Sequence, residues 1–260
     1  MKQLKLFTLL PAIALAACSN GTTGAVSFSL TSRPAAAPLA SAAFSAAGLA
    51  PAVVASGDST VIILGNDSVI VRSVELVLRQ VELKRSDVSA CDAIVGNGDC
   101  EEFETGATLV SLPLGATPIA AQVTVNAPPG TYDALEFEIH KPSSGDDAAF
   151  IAAHPDFANI SIRVTGTYSQ AGTRSDFVFT SDVNQGQQAS LVPPVTVQEG
   201  QALNVTLRAD ISGWFLNDTK TALVDPASAN NGQPNQSIVA NNIQNSFKAF
   251  EDDNRDGLEG

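Results

Sequence analysis

Short runs in which apolar and polar residues alternate dominate the chain between residues 24 and 215. Val26, Phe28 and Leu30 alternate with polar neighbours, and a period of two residues is typical of a strand with one buried face. Further runs of strand character lie at residues 61–64, 69–71, 74–83, 119–125, 132–139, 160–164, 177–179, 193–197 and 203–207. Separated by Gly, Pro and Asn turns, they predict a mainly β protein, an antiparallel β-sandwich of about 8–10 strands.

Two local irregularities refine this pattern. Gly65-Asn66-Asp67-Ser68 separates two apolar runs, and such a turn sequence is typical of a β-hairpin. In the strand that follows, the alternation slips by one residue at Arg79-Gln80. Because a one-residue slip sends every later side chain to the opposite face, the slip predicts a β-bulge or bend.

Two segments have a helical pattern instead. Asp146 as an N-cap and Pro155 as a stop predict a short helix near residues 146–154. Ser237 is expected to cap a second helix near residues 237–250. The residues expected on one face of this second helix are Val239, Ile243, Ser246 and Phe250, with Phe247 beside them.

The first residues of the chain have the character of an export signal. Lys2 and Lys5 precede an apolar run from residue 6 to residue 15. A run of this length falls short of the roughly 20 apolar residues that cross a membrane, whereas a secretory signal is built this way.

The end of that run, Leu15-Ala16-Ala17-Cys18, resembles the lipobox of bacterial lipoproteins. The resemblance implies that the signal is cut before Cys18, that Cys18 is diacylated, and that the new amino terminus is acylated again. Several acyl chains would hold the protein on a membrane almost permanently. Ser19, where Asp would resemble an inner-membrane retention signal, favours the outer membrane. The alternative is an ordinary cleaved signal followed by a chance cysteine.

The chain accordingly divides into four parts. Residues 1–17 are predicted to be a lipoprotein signal peptide, and residues 18–23 a lipidated amino terminus. Residues 24–215 form the β-sandwich, interrupted by an Ala- and Pro-rich loop at residues 33–57 that is expected to be a flexible tether or surface loop. Residues 216–260 hold a polar loop, the second helix and an acidic tail.

The charge balance excludes some partners. The chain has 14 Lys and Arg against 27 Asp and Glu, and without Lys2 and Lys5 the mature chain has a net charge of 12 − 27 = −15. Nucleic acid and anionic lipid both attract basic surfaces. The balance therefore argues against either as a direct partner, and it suits an exported protein or one that binds cations.

Cys91 and Cys100 remain once Cys18 is assigned to the lipid. An even pair of cysteines in an exported protein predicts a disulfide. Closing so short a loop would stabilise the fold by roughly 2.5–3 kcal/mol on the entropy model. A metal site, which would need more Cys or His nearby, and two free thiols are the alternatives. The acidic residues beside this pair, Asp99, Glu101, Glu102 and Glu104, are expected to form a solvated loop, or else a site for a cation or a partner.

Several phrases of the chain resemble bacterial lipoproteins that carry a β-sandwich domain of unknown function, of the transthyretin- or carbohydrate-binding-like type. They begin at Gly24 (Gly-Ala-Val-Ser-Phe-Ser-Leu-Thr), at Val74 (Val-Glu-Leu-Val-Leu-Arg-Gln-Val-Glu-Leu) and at Pro129 (Pro-Gly-Thr-Tyr-Asp-Ala-Leu-Glu-Phe). The resemblance would cover roughly residues 24–215. It implies a fold and a location, and it transfers no catalytic residue.

The acidic tail contains the sharpest candidate for chemistry. Asp252, Asn254 and Asp256, followed by Gly257, match the first half of a calcium loop, with Leu258 offering a backbone carbonyl. An EF-hand needs a bidentate Glu at its twelfth position, which lies beyond Gly260, so Glu259 or a carboxylate from elsewhere would have to complete the site. Calcium is the one cofactor that the sequence suggests. The alternative is a frayed acidic terminus.

Two aromatic and acidic features have ordinary alternatives. Trp214 is a candidate platform for a sugar ring, although a lone Trp after a strand more often plugs the end of a core. Glu136 and Glu138 lie on one strand face and could in principle serve a glycosidase, although solvated carboxylates that point outward are the ordinary interpretation. His140 and His154 have no zinc-site spacing.

These observations support three hypotheses. The first is a non-enzymatic lipoprotein of the cell envelope whose β-module binds a partner or serves the structure of the envelope. The second is a calcium-stabilised module that binds carbohydrate or adheres to a surface. The third, an enzyme acting on glycans, has the least support. The partners implied are the membrane, through the lipid, and a surface glycan or envelope protein.

Overall fold

The structure is a computed structural model that describes residues 24–32, 51–85, 106–115 and 119–259. The strands of this described part are β1 Gly24–Thr31, β2 Ala52–Ser56, β3 Ser59–Leu64, β4 Asp67–Arg85, β5 Thr108–Ser111, β6 Ala120–Ala127, β7 Gly130–Ile139, β8 Ile162–Gln170, β9 Thr173–Ser181, β10 Gln185–Val197, β11 Ala202–Ala209 and β12 Phe247–Glu251. The helices are α1 Ala148–Ala153 and α2 Gln236–Gln244, with 3-10 turns at Pro155–Phe157, Ile211–Gly213 and Pro226–Ala229. The chain is therefore mainly β, as the alternation predicts.

Strand β4 is the spine of the sheet. Its first half pairs with β3 on one side and with β8 on the other, and its second half pairs with β5 and β7. The 19 residues of β4 can serve four partners because successive segments of one long strand can pair with different neighbours. Strand β9 extends the sheet beyond β8, and β2 extends it beyond β3.

A second group of strands is joined to this spine through β10. Strand β10 pairs with β7 and also touches β12, which continues through β11 and β1 to β6. The β1/β11 and β10/β12 pairs are parallel, so the prediction of an entirely antiparallel sheet is wrong at these two pairs. The result is one mixed, curled sheet. Strand β12, which follows α2 in the chain, lies between β10 and β11, parallel to β10 and antiparallel to β11.

One apolar cluster spans both groups of strands. It joins Leu76 of β4 and Phe137 of β7 to Val205 of β11, and it includes Val239 and Ile243 of α2. Each of these side chains is at most 2% exposed. Residues 216–260, predicted as a loop, helix and tail, thus contribute both core side chains and a strand.

The hairpin and the bulge are confirmed. β3 and β4 pair from Leu64 and Asp67 outward across Gly65-Asn66. The β4/β7 register shifts between Arg79 and Glu82, where Gln80 has a positive φ of 53°. A left-handed residue inserted into one strand is the usual geometry of a bulge.

Both helices are present with different ends. α1 lies within the predicted range, but its N-cap is Asp147 and not Asp146. α2 has its N-cap at Asn235 and ends at Gln244, so the predicted helix over residues 237–250 is wrong in its second half, which forms β12. Residues 52–56, predicted as part of the Ala- and Pro-rich loop, form β2.

Several predictions fall on residues outside the described part. They include the lipidation of Cys18, the Cys91–Cys100 disulfide, the acidic loop around Glu101, and most of the Ala- and Pro-rich segment. Among the described residues, none of the helices combines the length and the apolar character needed to cross a membrane.

Candidate functional site

The carboxy-terminal loop, residues 252–259, folds around the carboxylate of Asp252. One oxygen of this carboxylate accepts the Asp256 backbone N–H at 3.1 Å, and the other accepts the Gly257 N–H at 3.0 Å and the Thr206 hydroxyl at 2.8 Å. Asp252 is 3% exposed. Gly257 has a φ of +76°, a backbone conformation that favours glycine. The Asp and Gly of the predicted calcium motif therefore hold the turn.

This loop lies across the polar face of β11 and β1. The register places Ser27, Ser29 and Thr31 of β1 beside Asn204, Thr206 and Arg208 of β11. The loop reaches that face three times: Asp252 bonds Thr206, Arg255 donates to the Ser27 hydroxyl at 3.3 Å, and Glu259 approaches Arg208. The loop thus removes a row of strand side chains from solvent.

The buried polar groups beneath the loop satisfy one another. The Ser29 hydroxyl donates to Asn204 Oδ1 at 2.8 Å, and Asn204 Nδ2 donates to Thr206 Oγ1 and to the Asp252 carbonyl. Buried polar groups are tolerated when they are paired in this way.

Side-chain oxygens of three of the predicted calcium ligands, Asp252, Asn254 and Asp256, accept hydrogen bonds within the loop. Asn254 Oδ1 accepts the Asp256 N–H at 3.1 Å, and Asp256 Oδ1 accepts the Leu258 N–H at 2.8 Å. The described residues contain no group of three or more His, Cys, Asp or Glu side chains placed to hold a metal ion. The structure thus brings Asp252, Asn254, Asp256 and Leu258 together in one turn.

Trp214 lies in the core. Its side chain is 0% exposed, and its indole N–H donates to the Ser246 hydroxyl at 2.8 Å. It follows the 3-10 turn Ile211–Gly213 and forms part of the apolar cluster. A fully buried indole presents no face on which a sugar ring can stack, so the platform hypothesis is not supported and the core alternative describes this residue.

Arg208 has an environment that the sequence did not reveal. Its side chain is 1% exposed, and its guanidinium carbon lies 5.1 Å from the centre of the Phe250 ring. Nη2 is 3.5 Å from a carboxylate oxygen of Glu259, whose side chain is half exposed. Nη1 is buried and has no hydrogen-bond partner among the described residues.

A cavity of about 360 Å³ adjoins Arg208 at the end of β11 and β12. Its lining combines three cations with one carboxylate and several neutral polar groups. The lining residues are Arg208, Asp210, Ser212, Gly213, Leu216, Lys220, Asn242, Asn245, Ser246 and Lys248. We call this the Arg208 pocket.

A second buried ionisable cluster lies at the end of β7. His140 is 5% exposed, and its Nε2 is 2.8 Å from a carboxylate oxygen of Asp147. Burial acts to raise the pKa of the Asp147 carboxyl, but the Ser143 backbone N–H and the His140 ring lower that pKa below its ordinary value. The pair fastens the segment that leads into α1 to the end of the sheet.

Glu136 and Glu138 form ion pairs on the sheet surface. Glu138 accepts from Arg79 at 2.9 Å, and Glu136 lies 3.3 Å from the Lys84 ammonium group. Both carboxylates therefore pair with cations on β4, the strand beside β7, as structural groups on a sheet surface commonly do.

A comparison with protein-family models found no match, and comparisons with curated proteins and with solved structures also found none.

Proposed function

We propose that the chain is a non-enzymatic lipoprotein of the cell envelope. Acylated Cys18 holds it on the outer membrane, and the β-rich body acts as a binding or structural module. The observation that carries the proposal is the short apolar signal that ends in Leu15-Ala16-Ala17-Cys18. A surface glycan or another envelope protein is the partner class proposed for the body.

The body is proposed to be of the sandwich type, with the two strand groups of the curled sheet facing each other. The single apolar cluster that joins Leu76 of β4 to Val205 of β11 supports this arrangement. A disulfide between Cys91 and Cys100 remains part of the proposal.

Expression of the full chain in a bacterium fed radiolabelled palmitate tests the anchor. We expect label in the protein, recovery in the membrane fraction, and loss of both in Cys18→Ser. Cys91→Ser is the matched control and should keep the label. An unlabelled wild-type chain, or a Cys18→Ser variant that keeps its label, would contradict the proposal.

A second candidate function is a calcium-stabilised module that binds carbohydrate. It is favoured by one observation: Asp252, Asn254 and Asp256 share one turn, and Gly257 adopts the positive φ that such a loop requires. If calcium binds the folded state and not the unfolded state, the melting temperature should rise as the calcium concentration increases. Equal melting of the full chain in calcium and in a chelator would remove this candidate.

A further inference from the structure

The lining of the Arg208 pocket is positively charged, whereas the protein as a whole is negatively charged. The chain has a formal net charge of −13, yet Arg208, Lys220 and Lys248 line this cavity with Asp210 as the one carboxylate among its lining residues. The Asp210 carboxylate accepts the Ser212 backbone N–H at 3.0 Å, and its single negative charge is outnumbered by the three cations of the lining. The electrostatic potential inside the pocket therefore favours a negatively charged ligand.

Two of these cations stand directly opposite each other. The β11/β12 register pairs Arg208 with Lys248, and like charges in opposite positions destabilise a sheet. The Lys248 ammonium group makes no ion pair or hydrogen bond with a described residue. A negative group held between the two side chains would convert this repulsion into attraction.

The guanidinium group of Arg208 is incompletely satisfied. Glu259 approaches Nη2 at 3.5 Å from a half-exposed position, and buried Nη1 has no partner among the described residues. A buried donor without an acceptor destabilises a protein. The planar fork of a guanidinium matches the two oxygens of a carboxylate or a phosphate.

The remaining lining groups fix the shape of the cavity. Asn242 donates to the carbonyls of Trp214 and Leu216 at 3.0 and 2.8 Å and accepts from the Lys220 ammonium group. Lys220 is thereby held at the rim, and Leu216 supplies an apolar contact. A cavity of about 360 Å³ lies within the size range of small-molecule sites.

We propose that the Arg208 pocket binds a small organic anion of the size of one sugar ring, through a carboxylate or phosphate group held by Arg208 and Lys248 with Lys220 at the rim. This inference rests on the proposed function in one respect, since it names a ligand class for a body that acts by binding. It does not depend on the lipid anchor.

Isothermal titration calorimetry of the full chain in detergent tests the proposal with three probes that share one ring. D-glucuronate presents a carboxylate and D-glucose 6-phosphate a phosphate, whereas D-glucose is the neutral control. At concentrations up to about 10 mM, we expect one or both charged probes to bind and D-glucose not to bind. Which charged probe binds more tightly identifies the preferred group. Failure of both charged probes, or equal binding of D-glucose, would overturn the proposal.

Substitutions at the exposed rim keep the test independent of folding. Lys248→Gln and Lys220→Gln should each weaken binding of the charged probe about tenfold, the scale of one charge-assisted hydrogen bond. Lys141→Gln removes a lysine charge outside the pocket and should leave the affinity unchanged. Arg208→Met should abolish binding if the variant keeps the circular dichroism spectrum of the wild type. Unaltered affinity in Lys248→Gln would contradict the assignment.

The two proposals fail in different experiments. If the chain incorporates palmitate but binds neither charged probe, the lipid anchor is supported and the proposed anion site is contradicted. If the chain binds a charged probe but is not acylated, the anion site is supported and the lipid anchor is contradicted.

Discussion

Asp252 contributes more to the fold than its place in an acidic tail suggests. Its carboxylate joins the carboxy-terminal loop to Thr206 of β11 while it also closes the turn at Gly257. Since the carboxylate is buried, each of these bonds forms in a medium where it is stronger than in water.

We expect Asp252→Ala to lower the free energy of unfolding by about 2–3 kcal/mol, because charge-assisted bonds are lost and buried Thr206 loses its acceptor. Urea unfolding of the full chain measures the change. Asp253→Ala is the matched control, since exposed Asp253 accepts one long bond among the described residues, from the Asn204 N–H at 3.3 Å, and its loss should cost under about 1 kcal/mol. Equal losses in the two variants would show that the loop does not depend on the buried carboxylate.

The Asp147–His140 pair predicts a specific response to acid. A carboxyl whose folded-state pKa is lowered stabilises the protein above its unfolded pKa, and this contribution is lost as the pH falls through the folded pKa. We therefore expect Asp147→Asn to be less stable than the wild type at pH 7, with the difference shrinking below about pH 4.

Urea unfolding at a series of pH values checks this prediction. Asp146→Asn is the control, because the Asp146 side chain is exposed and its carboxylate accepts a hydrogen bond from the Ser143 hydroxyl at 3.2 Å. A stability difference between Asp147→Asn and the wild type that is constant from pH 7 to pH 3 would contradict the role given to the carboxylate.

At the scale of elements, the pairing of β4 with β8 depends on one residue without a side chain. A Cβ on Gly166 would lie 2.0 Å from the Ile70 carbonyl oxygen and 2.9 Å from the Phe177 ring. The two strands can approach so closely only because this position is glycine.

We expect Gly166→Ala to destabilise the protein by about 1–3 kcal/mol, because a backbone atom must move to admit the methyl group. Gly186 on β10 offers a matched control, since a Cβ there would meet nothing within 4 Å and its φ is not positive. Thermal unfolding should therefore show Gly186→Ala close to the wild type. A Gly166→Ala variant as stable as Gly186→Ala would contradict the close approach of the strands.

Helix α2 contributes two side chains to the apolar cluster. Val239 and Ile243 are both 0% exposed. We expect Ile243→Ala to cost about 2–5 kcal/mol, through lost burial and the cavity left behind, while Asn241→Ala on the exposed side should be nearly neutral. Chemical denaturation of both variants distinguishes them, and a small loss in Ile243→Ala would mean that the helix does not pack as described.

Most strands were predictable from the sequence because the alternation records which face is buried. The hairpin and the bulge followed from local turn chemistry at Gly65-Asn66 and from the phase slip at Arg79. Strand β12 was not predictable in this way. Phe247 and Phe250 are three residues apart, a spacing that also suits a helix, and only distant pairing with β10 and β11 selects the strand.

The candidate site was harder to predict from the sequence than the strands were. The pattern at residues 252–257 indicated a turn rich in oxygen atoms, but it did not reveal that Thr206 and Asn204 supply the partners. Arg208 stands on the polar side of an alternating strand, where exposure is the usual expectation. Its guanidinium lies beside Phe250 of β12 and near Glu259 of the carboxy-terminal loop, long-range contacts that leave no local signal.

For the molecule as a whole, β12 provides the link between the two groups of strands. It pairs with β11 from Val205 to Ala209 and touches β10 at Leu191. Within the described residues, the path of paired strands from β10 to β11 therefore passes through β12.

A chain truncated after Ser246 is therefore expected to lose cooperative unfolding, since β11 and β10 would each present unpaired backbone groups. A chain truncated after Glu251 keeps β12 and should unfold cooperatively at a reduced temperature. Circular dichroism during heating separates the two cases. A sharp transition at the wild-type temperature in the shorter chain would show that β12 does not link the two groups.

The position of β1 limits the distance between the β-rich body and the membrane to which Cys18 is proposed to be anchored. This strand lies between β11 and β6 and begins at Gly24, six positions after the proposed point of acylation. Six residues of fully extended backbone reach only about 20 Å. With Cys18 acylated in the bilayer, the body would therefore stay close to the lipid surface. A ligand would have to reach the membrane before it could bind.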